Sequence, residues 1–158
     1  GSTLLAPVPA ALVSCGTLEK PNALTIAWTG ITCSDPPMTY ISVRPERYSY
    51  DIIKESGEFV INLTSGAMAR ATDFCGVRSG REMDKLAATG LTVEPAKEIA
   101  APVIAQSPLA LECRVKQIIP LGSHDMFLAE IVAVDVEERL LDETGKLHLE
   151  KAGVLCHG

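Results

Sequence analysis

The sequence predicts a mainly β protein whose strands pair antiparallel in a barrel or sandwich. Two long strand-like segments, Leu109–Ile119 and Met126–Val136, are joined by the short sequence GSHD, which is typical of a hairpin turn. Earlier segments rich in β-branched residues are bounded by Gly, Pro and Asp, as strands commonly are. Consecutive strands with such short connections argue against a doubly wound parallel sheet, which needs helical crossovers.

The individual elements follow from local patterns in chain order. Polar residues at positions 112, 114 and 116 predict one solvent-exposed face for the strand Leu109–Ile119. Gly57 and Gly90 follow two predicted helices at the place where a helix commonly ends. The predicted strands are Ala11–Cys15, Leu24–Thr32, Met38–Val43, Glu58–Leu63, Leu109–Ile119 and Met126–Val136. The predicted helices are Arg47–Glu55, with Tyr48, Ile52 and Ile53 facing inward, Ala67–Phe74 and Met83–Ala88.

Composition predicts a single globular domain over residues 1–158. Hydrophobic residues make up 47% and charged residues 22%, which suits a protein with one full core. The formal net charge of −6 argues against a nucleic-acid partner. No apolar run approaches the roughly 20 residues that a membrane span requires. We therefore expect a protein that binds neither nucleic acid nor membrane.

Cysteine usage indicates a reducing compartment. The five cysteines are an odd number, are widely spaced and include no CxxC pair, so the sequence gives little support for a zinc site or a thioredoxin-like motif. Their density is also too low for a secreted disulfide framework. We therefore expect a cytoplasmic protein without a metal site, in which most thiols are reduced and pack as small core residues.

The stretch from Asn22 to Ser49 points to an anionic ligand. Arg44 and Ser49 lie beside a predicted helix start, which presents free backbone N–H groups and the positive end of the helix dipole. Residues 42–85 contain seven basic and seven acidic side chains, so an anion site in this acidic chain has to be built locally. A surface salt bridge at Arg44 and an ordinary helix-start hydroxyl at Ser49 are the alternative interpretations. The chain contains neither GxGxxG nor a P-loop, so this phosphate site is of neither common nucleotide-binding type.

Motifs along nearly the whole chain carry a resemblance to a known family. In order they are LLAPVPAALVSCG, NALTIAWTGITCSDPP, ISVRPERYSYDIIKESGEFVINL, DFCGVRSGREMDKL, LALEC and LGSHDMFLAEIVAV. In this combination the chain resembles the flavin reductase-like, FMN-binding split-barrel proteins, most closely their flavoredoxin branch. The resemblance implies a six-stranded Greek-key split β-barrel with peripheral short helices, working as a homodimer with FMN at the subunit interface. It also implies an aromatic-rich tail, GxYxxxG, after AGVLCHG, which the sequence to Gly158 does not include.

The function that the resemblance implies is that of an NAD(P)H:flavin oxidoreductase. Hydride would pass from NADH or NADPH to N5 of FMN, and electrons would pass onward to an acceptor that the sequence does not identify. Because the cofactor carries the redox chemistry, no protein nucleophile or acid–base pair is required. Two alternatives stay open: a flavoredoxin-type electron carrier that holds FMN without oxidising NAD(P)H, and a binding or sensor module that holds haem or a deazaflavin.

For the FMN phosphate, a dianion, we expect Arg44 and Ser49 as the holding side chains, because a guanidinium supplies forked, charge-assisted donors. The backbone of the Arg47–Ser49 turn would help. The expected outcome of removing the Arg44 side chain is weaker FMN binding by roughly 2–4 kcal/mol.

For the isoalloxazine ring we expect the TIAWTGI segment to provide hydrogen-bond partners and a close approach of the main chain. Ala27 is small, Thr29 is polar, and Gly30 lets a ligand come near the backbone. Trp28 is either a hydrophobic core residue or a direct flavin contact. Asn22 either binds the ligand or caps a turn.

The sequence SGREMDK resembles an SGRxxDK element of the family. The resemblance implies that this element supplies a cation to the flavin, either of the same subunit or of the neighbouring one. Lys85 near the N1–C2 carbonyl would stabilise the negative charge of the reduced ring. An Asp84–Lys85 pair facing solvent is the alternative. The expected cofactor-binding residues of this element are Ser79, Gly80, Arg81 and Lys85.

His124 is the candidate catalytic residue, because it lies in the strand-joining turn GSHD, where ligand-binding side chains often occur. The resemblance implies that it lines the nicotinamide or substrate side of the flavin, and a merely solvated turn histidine is the alternative. Cys33 follows the flavin-facing segment, and we expect a packing role for it rather than contact with the ring.

Overall fold

The computed structural model describes residues 4–5, 8–77, 84–153 and 156–157, which form mostly β-strand with short helices between. The strands are β1 (Val8–Pro9), β2 (Ala11–Gly16), β3 (Pro21–Ile26), β4 (Thr29–Ser34), β5 (Pro37–Val43), β6 (Glu58–Leu63), β7 (Val93–Glu94), β8 (Val103–Ile104), β9 (Leu109–Pro120), β10 (Asp125–Val136) and β11 (Cys156–His157). The helices are α1 (Tyr48–Ser56), α2 (Ala69–Val77) and α3 (Lys85–Thr89), with 3₁₀ turns at Gly66–Met68, Glu138–Leu140 and Leu149–Ala152.

Seven strands form one antiparallel sheet in the order β3–β2–β6–β9–β10–β5–β4. The predicted mainly β, antiparallel class is confirmed, although the main sheet has seven strands rather than six. The extra strand arises because the segment predicted as one strand, Leu24–Thr32, is divided at Ala27 and Trp28. β3 pairs with β2, whereas β4 pairs with β5 at the opposite edge. One continuous β-type run therefore serves both edges of the sheet.

The sheet curls so that strands from both ends contribute to one interior core. Leu24 and Ile26 of β3 belong to the same buried cluster as Ile41 and Val43 of β5. The backbone N–H of Ser42 donates to the carbonyl of Trp28 (3.1 Å), which ties β5 to the connection between β3 and β4. Two register shifts in the β9–β10 pair add local bending. The result is a barrel whose interior is apolar.

The outer face of β2 and β3 carries the helices. Successive side chains of a strand point to opposite faces, so Val13 lies in the barrel interior while Leu12 packs outside with Cys75 of α2 and Leu86 of α3. This second apolar cluster fixes α2 and α3 against β3. It therefore sets the position of Lys85, the first residue of α3, beside the strand that carries part of the predicted site.

Helix α1 confirms the predicted helix, but its inward face differs in part. Tyr50 and Ile53 are buried, whereas Tyr48 and Ile52 are only partly buried. The prediction was therefore right for Ile53 and for Ile52, which packs against the barrel core, whereas Tyr48 lines a cleft instead of the core. Tyr50 is held inside because its hydroxyl donates to Asp125 and its ring meets Phe127 edge-on, with centroids 5.3 Å apart.

The other two predicted helices are present with shifted bounds. A 3₁₀ turn over Gly66–Met68 precedes α2, which continues to Val77 instead of ending at Phe74. α3 begins at Lys85 rather than Met83, because the Asp84 carboxylate accepts the N–H groups of Leu86 and Ala87 (3.1 Å each) as an N-cap. No helix in the described part of the chain has the length and apolar character of a membrane span.

The predicted solvent-exposed face of β9 is wrong at Glu112. Arg114 and Lys116 are exposed as expected, but Glu112 is fully buried. Its carboxylate accepts the backbone N–H groups of Lys97 (2.9 Å) and Glu98 (2.8 Å). The segment before β8 therefore folds over this face of the sheet, and the polar residue at position 112 serves to bind it.

Candidate functional site

The start of α1 brings an unpaired guanidinium into a cleft. Arg47 is the N-cap residue, with extended backbone (φ −67°, ψ 141°) and no side-chain cap hydrogen bond. One of its terminal guanidinium nitrogens is buried and has no hydrogen-bond partner among the described residues. Burial lowers the pKa of Arg47. A buried cationic donor without a partner is costly, so this position is suited to an anion that approaches the helix start.

Arg44, the side chain that the sequence favoured for phosphate, lies nearby but is exposed. It follows β5 directly and lines the same cleft as Arg47. The sequence pointed to the backbone of Arg47 as a ligand for the phosphate, but the role of its side chain was not predicted. The signal available for finding it was its place as the residue that immediately precedes the helix, where a side chain lies close to the free N–H groups.

Behind the helix start, Asn22 and Ser49 meet each other. Asn22 Nδ2 donates to Ser49 Oγ at 2.6 Å, and both side chains are buried. Cys15 lies next to this pair, and burial raises its pKa to about 11 although Ser49 and the charge of Lys85 act in the opposite direction. Cys15 is therefore a neutral thiol at physiological pH. The two predicted site residues form a polar contact between the beginning of β3 and the first turn of α1.

Lys85 is buried, so the alternative of a solvent-facing Asp84–Lys85 pair is wrong. Only 3% of Lys85 is exposed, and its ammonium donates to the backbone carbonyls of Ala23 and Cys75 (3.0 Å each). Burial lowers the pKa of Lys85, and the charge of Arg47 lowers it further. Two cations are thus held within each other's field, which makes the local potential positive in an acidic chain.

The connection between β3 and β4 exposes an aromatic surface. Trp28 is 42% exposed, so it is not the core residue of the alternative interpretation. The next two residues in the chain both contact Tyr40. Thr29 Oγ1 donates to the carbonyl of Tyr40 (2.7 Å), and a Cβ on Gly30 would lie 3.1 Å from the Tyr40 ring. A side chain at position 30 would therefore press on the Tyr40 ring.

His124 lies against this aromatic surface. Its ring centroid is 4.6 Å from that of Trp28, with the planes tilted by 43°, and its Nδ1 lies 2.8 Å from Ser123 Oγ. Burial lowers the pKa of His124, the charge of Arg44 lowers it further, and Glu46 opposes both. Burial and Arg44 therefore favour the neutral imidazole, and His124 is not a freely solvated turn histidine.

One cleft collects much of the predicted set. Ala27, Trp28, Arg44, Arg47 and His124 line it together. Asn22 borders a second, larger cleft on the other side of the α1 start, and Ser49 and Lys85 are buried close to the same helix start. Other residues that line the second cleft are Lys20, Tyr48, Ile52 and Asp84.

Three predicted cofactor-binding residues, Ser79, Gly80 and Arg81, lie outside the described residues. Cys33 is on β4 and exposed, so the packing role expected for it is wrong. Cys15, Cys75 and Cys113 are buried, as predicted for most of the thiols.

The family model of the flavin reductase like domain matches residues 4–151. The chain belongs to this family. The flavin reductase-like protein is similar in structure to the flavoredoxin of Desulfovibrio vulgaris (Miyazaki F), with a TM-score of 0.89 and 36% identity over 96% of this chain and 82% of that one. It is also similar to the flavoredoxin of Methanosarcina acetivorans, with a TM-score of 0.88 and 29% identity over 99% of this chain and 83% of that one.

A curated relative, the FMN reductase (NADH) RutF of Pseudomonas syringae pv. syringae (strain B728a), is 25% identical over 79% of this chain and 70% of its own length. Membership of the flavin reductase-like family, together with these neighbours, supports a flavin-related redox function. The split-barrel architecture expected from the sequence is confirmed by the same similarities.

Proposed function

We propose that this flavin reductase-like protein binds FMN and acts as an oxidoreductase, taking hydride from NADH or NADPH and passing electrons to an acceptor. The observation that carries the proposal is the buried, unpaired guanidinium nitrogen of Arg47 at the start of α1. A phosphate ester would supply the acceptor that this donor lacks. The names of the similar flavoredoxins and of the FMN reductase support the choice of FMN.

The residues present fit the phosphate end of FMN. Arg47 would hold the phosphate with a forked pair of donors, and the first N–H groups of α1 would add backbone donors. Ser49 remains a candidate phosphate ligand, although its hydroxyl already accepts from Asn22. Lys85 would add positive charge from behind β3, since its field already reaches Arg47.

The residues around Trp28 fit the ring end. Ala27 offers a small side chain at the cleft wall, and the indole of Trp28 with the tilted imidazole of His124 would form an aromatic wall for an isoalloxazine. A neutral His124 can serve as hydrogen-bond donor or acceptor, and it adds no charge beside the ring. When bound, FMN supplies the hydride and electron chemistry; the chain binds it, orients it and sets the local charge.

The donor is tested by mixing FMN-loaded protein with NADH and with NADPH in the absence of oxygen. We expect the visible flavin band to bleach with at least one of them. If neither nucleotide bleaches the band while dithionite does, the protein is an electron carrier of the flavoredoxin type and the hydride step is wrong. A preparation that binds no FMN in calorimetry would contradict the whole proposal.

The phosphate assignment is tested with Arg47→Gln. Loss of a charge-assisted contact in a partly buried site is expected to weaken FMN binding by roughly 2–3 kcal/mol, or about 30- to 150-fold. Lys116→Gln is the matched control, because it removes one positive charge from an exposed position on β9 away from the cleft. Equal FMN dissociation constants for Arg47→Gln and the control would show that the phosphate lies elsewhere.

A homodimer with FMN at the subunit interface is part of the proposal. Its support is the edge strand β4, whose residues from Ile31 onward are exposed, with Ile31 at 69%. A solvated apolar edge is a common site of association. Sedimentation of the FMN-loaded protein is expected to give twice the chain mass of 16.8 kDa, and a particle of the single mass would contradict the dimer.

A further inference from the structure

The cleft contains a second guanidinium that the phosphate does not require. Arg44 lines the same cleft as Arg47 but is exposed at its rim. Within the ranges that the structure describes, no carboxylate forms an ion pair with Arg44. Its charge lowers the pKa of His124, because a nearby cation disfavours the protonated imidazole. Such an arrangement leaves the forked donors of Arg44 available to an incoming anion.

Trp28 and His124 lie at the same mouth of the cleft. The indole is 42% exposed, and its ring lies in a tilted contact with the imidazole, with the centroids 4.6 Å apart. A fixed, exposed aromatic surface is a good platform for a planar molecule. The aromatic surface of Trp28 and His124 and the guanidinium of Arg44 therefore border the mouth of the same cleft.

We propose that Arg44 binds the anionic group of a planar substrate that lies on the Trp28–His124 surface during electron exchange, an inference that rests on the proposed function. The substrate class is an aromatic or conjugated molecule that carries a carboxylate or phosphate near its ring. Arg44 is then a determinant of substrate specificity, and Arg47 is the determinant of cofactor binding. The two arginines of the RPER sequence have separate tasks because one is partly buried and the other is exposed.

The anion has two possible sources, which share this chemistry. It belongs either to the acceptor, as an aromatic carboxylate, or to the donor, as the phosphate of a nicotinamide nucleotide. The experiment therefore uses two matched pairs of probes on FMN-loaded protein: benzoate against neutral benzamide, and nicotinamide mononucleotide against nicotinamide riboside. Dissociation constants are measured by calorimetry for the wild type, Arg44→Gln, Arg44→Lys and the control Lys116→Gln.

We expect Arg44→Gln to weaken binding of at least one probe that carries an anionic group by roughly tenfold and to leave the matched probe without that group within twofold. Arg44→Lys is expected to recover part of the loss, because it restores charge without the forked geometry. An effect on benzoate assigns the anion to the acceptor, and an effect on the mononucleotide assigns it to the donor. The inference is overturned if Arg44→Gln affects neither, or if wild-type protein does not prefer the anionic probes.

FMN affinity separates this inference from the proposed function. Because Arg44 is exposed at the rim and the buried guanidinium nitrogen belongs to Arg47, the structure replaces the loss of FMN binding that the sequence predicted for removal of Arg44. Arg44→Gln is now expected to bind FMN within twofold of the wild type. A large loss of FMN in Arg44→Gln would place Arg44 in the cofactor site and overturn the inference, while the proposed function would stand. A wild-type protein that binds no FMN would instead contradict the proposed function itself.

Discussion

At the scale of single residues, Asn62 shows how one buried amide joins three parts of the barrel. It is fully buried on β6, and its Nδ2 donates to the carbonyl of Leu12 and to Ser14 Oγ, each at 2.9 Å. Its Oδ1 accepts the backbone N–H of Ile104 at 3.0 Å. Both ends of the amide are therefore satisfied, and they tie β6 to β2 and to β8.

Replacing this amide tests how much the network contributes. Asn62→Leu keeps much of the volume but leaves the Ile104 N–H without an acceptor and removes the donor to Ser14 Oγ, which still donates to the Pro102 carbonyl (2.6 Å). We therefore expect the free energy of unfolding to fall by roughly 2–4 kcal/mol. Thr64→Val is the comparison, because Thr64 makes one such bond, to the carbonyl of Ala10 (2.8 Å). Urea unfolding of both variants is the measurement. A loss in Asn62→Leu no greater than in Thr64→Val would show that the network adds little.

At the scale of elements, the end of α1 is fixed by backbone conformation. Gly57 has φ +70°, and its N–H donates to the carbonyl of Ile53 at 2.8 Å, which closes the last turn. An added Cβ would meet no atom within 4 Å. Any cost of a side chain at this position therefore comes from the left-handed backbone and not from a clash.

Gly57→Ala is accordingly expected to lower the free energy of unfolding by about 1 kcal/mol. Gly66→Ala is the matched control, since Gly66 has the same open surroundings and no positive φ, and its change is expected to stay within about 0.5 kcal/mol. The midpoints of urea unfolding measure both. Identical midpoints for the two variants would rule out backbone strain as the reason for glycine at position 57.

At the scale of the whole molecule, a carboxyl pair links stability to pH. Asp135 of β10 lies near the buried Glu112 of β9, and one Asp135 oxygen is buried without a donor among the described residues. Burial and, after it, the neighbouring Glu112 raise the pKa of Asp135 to about 6, against the opposing charge of Lys97. Burial alone would raise the pKa of Glu112 too, but hydrogen bonds from Asp135, Lys97 and Glu98 lower it. Asp135 is therefore the member of the pair that takes the proton.

The sign of the pH effect follows from that assignment. A carboxyl whose pKa is higher in the folded state adds stability below its unfolded value, 3.8 for Asp135, and this stability is lost as the pH rises through about 6. The wild type is expected to lose on the order of 1–3 kcal/mol of stability in this way, and Asp135→Asn is expected to lose none of it because asparagine does not titrate. The free energy of unfolding of the variant should therefore change less between pH 4 and 6 than that of the wild type. Urea unfolding at several pH values measures the slope. Parallel curves for the two proteins would contradict the raised pKa.

Much of the fold could be predicted because strand patterning is local. The bounds of β6 and the long β9–β10 hairpin follow from residue type and turn chemistry alone. The division between β3 and β4 could not be predicted, because TIAWTGI is strand-like throughout. The break depends on tertiary pairing, since β3 pairs with β2 and β4 pairs with β5 at the opposite edge of the sheet. The burial of Glu112 depends likewise on a segment that folds over β9 from elsewhere in the chain.

For the candidate site, the sequence predicted which segments lie together but not which side chains make the contacts. The start of α1 and the β3–β4 connection were both expected, and the structure brings them to one cleft. Which arginine of the pair Arg44 and Arg47 is buried could not be read from the sequence, because both lie within one turn and differ only in how the chain bends into the helix. The carbonyl partners of Lys85 come from α2 and β3, and no local pattern identifies such partners.

The position of Trp28 has a practical consequence. The chain contains a single tryptophan, and it lies half exposed at the mouth of the cleft beside His124. Indole emission from this protein therefore originates at one known place. A ligand that enters the cleft will change the intensity or colour of that emission, so filling of the cleft can be followed optically in the natural chain, without any attached dye.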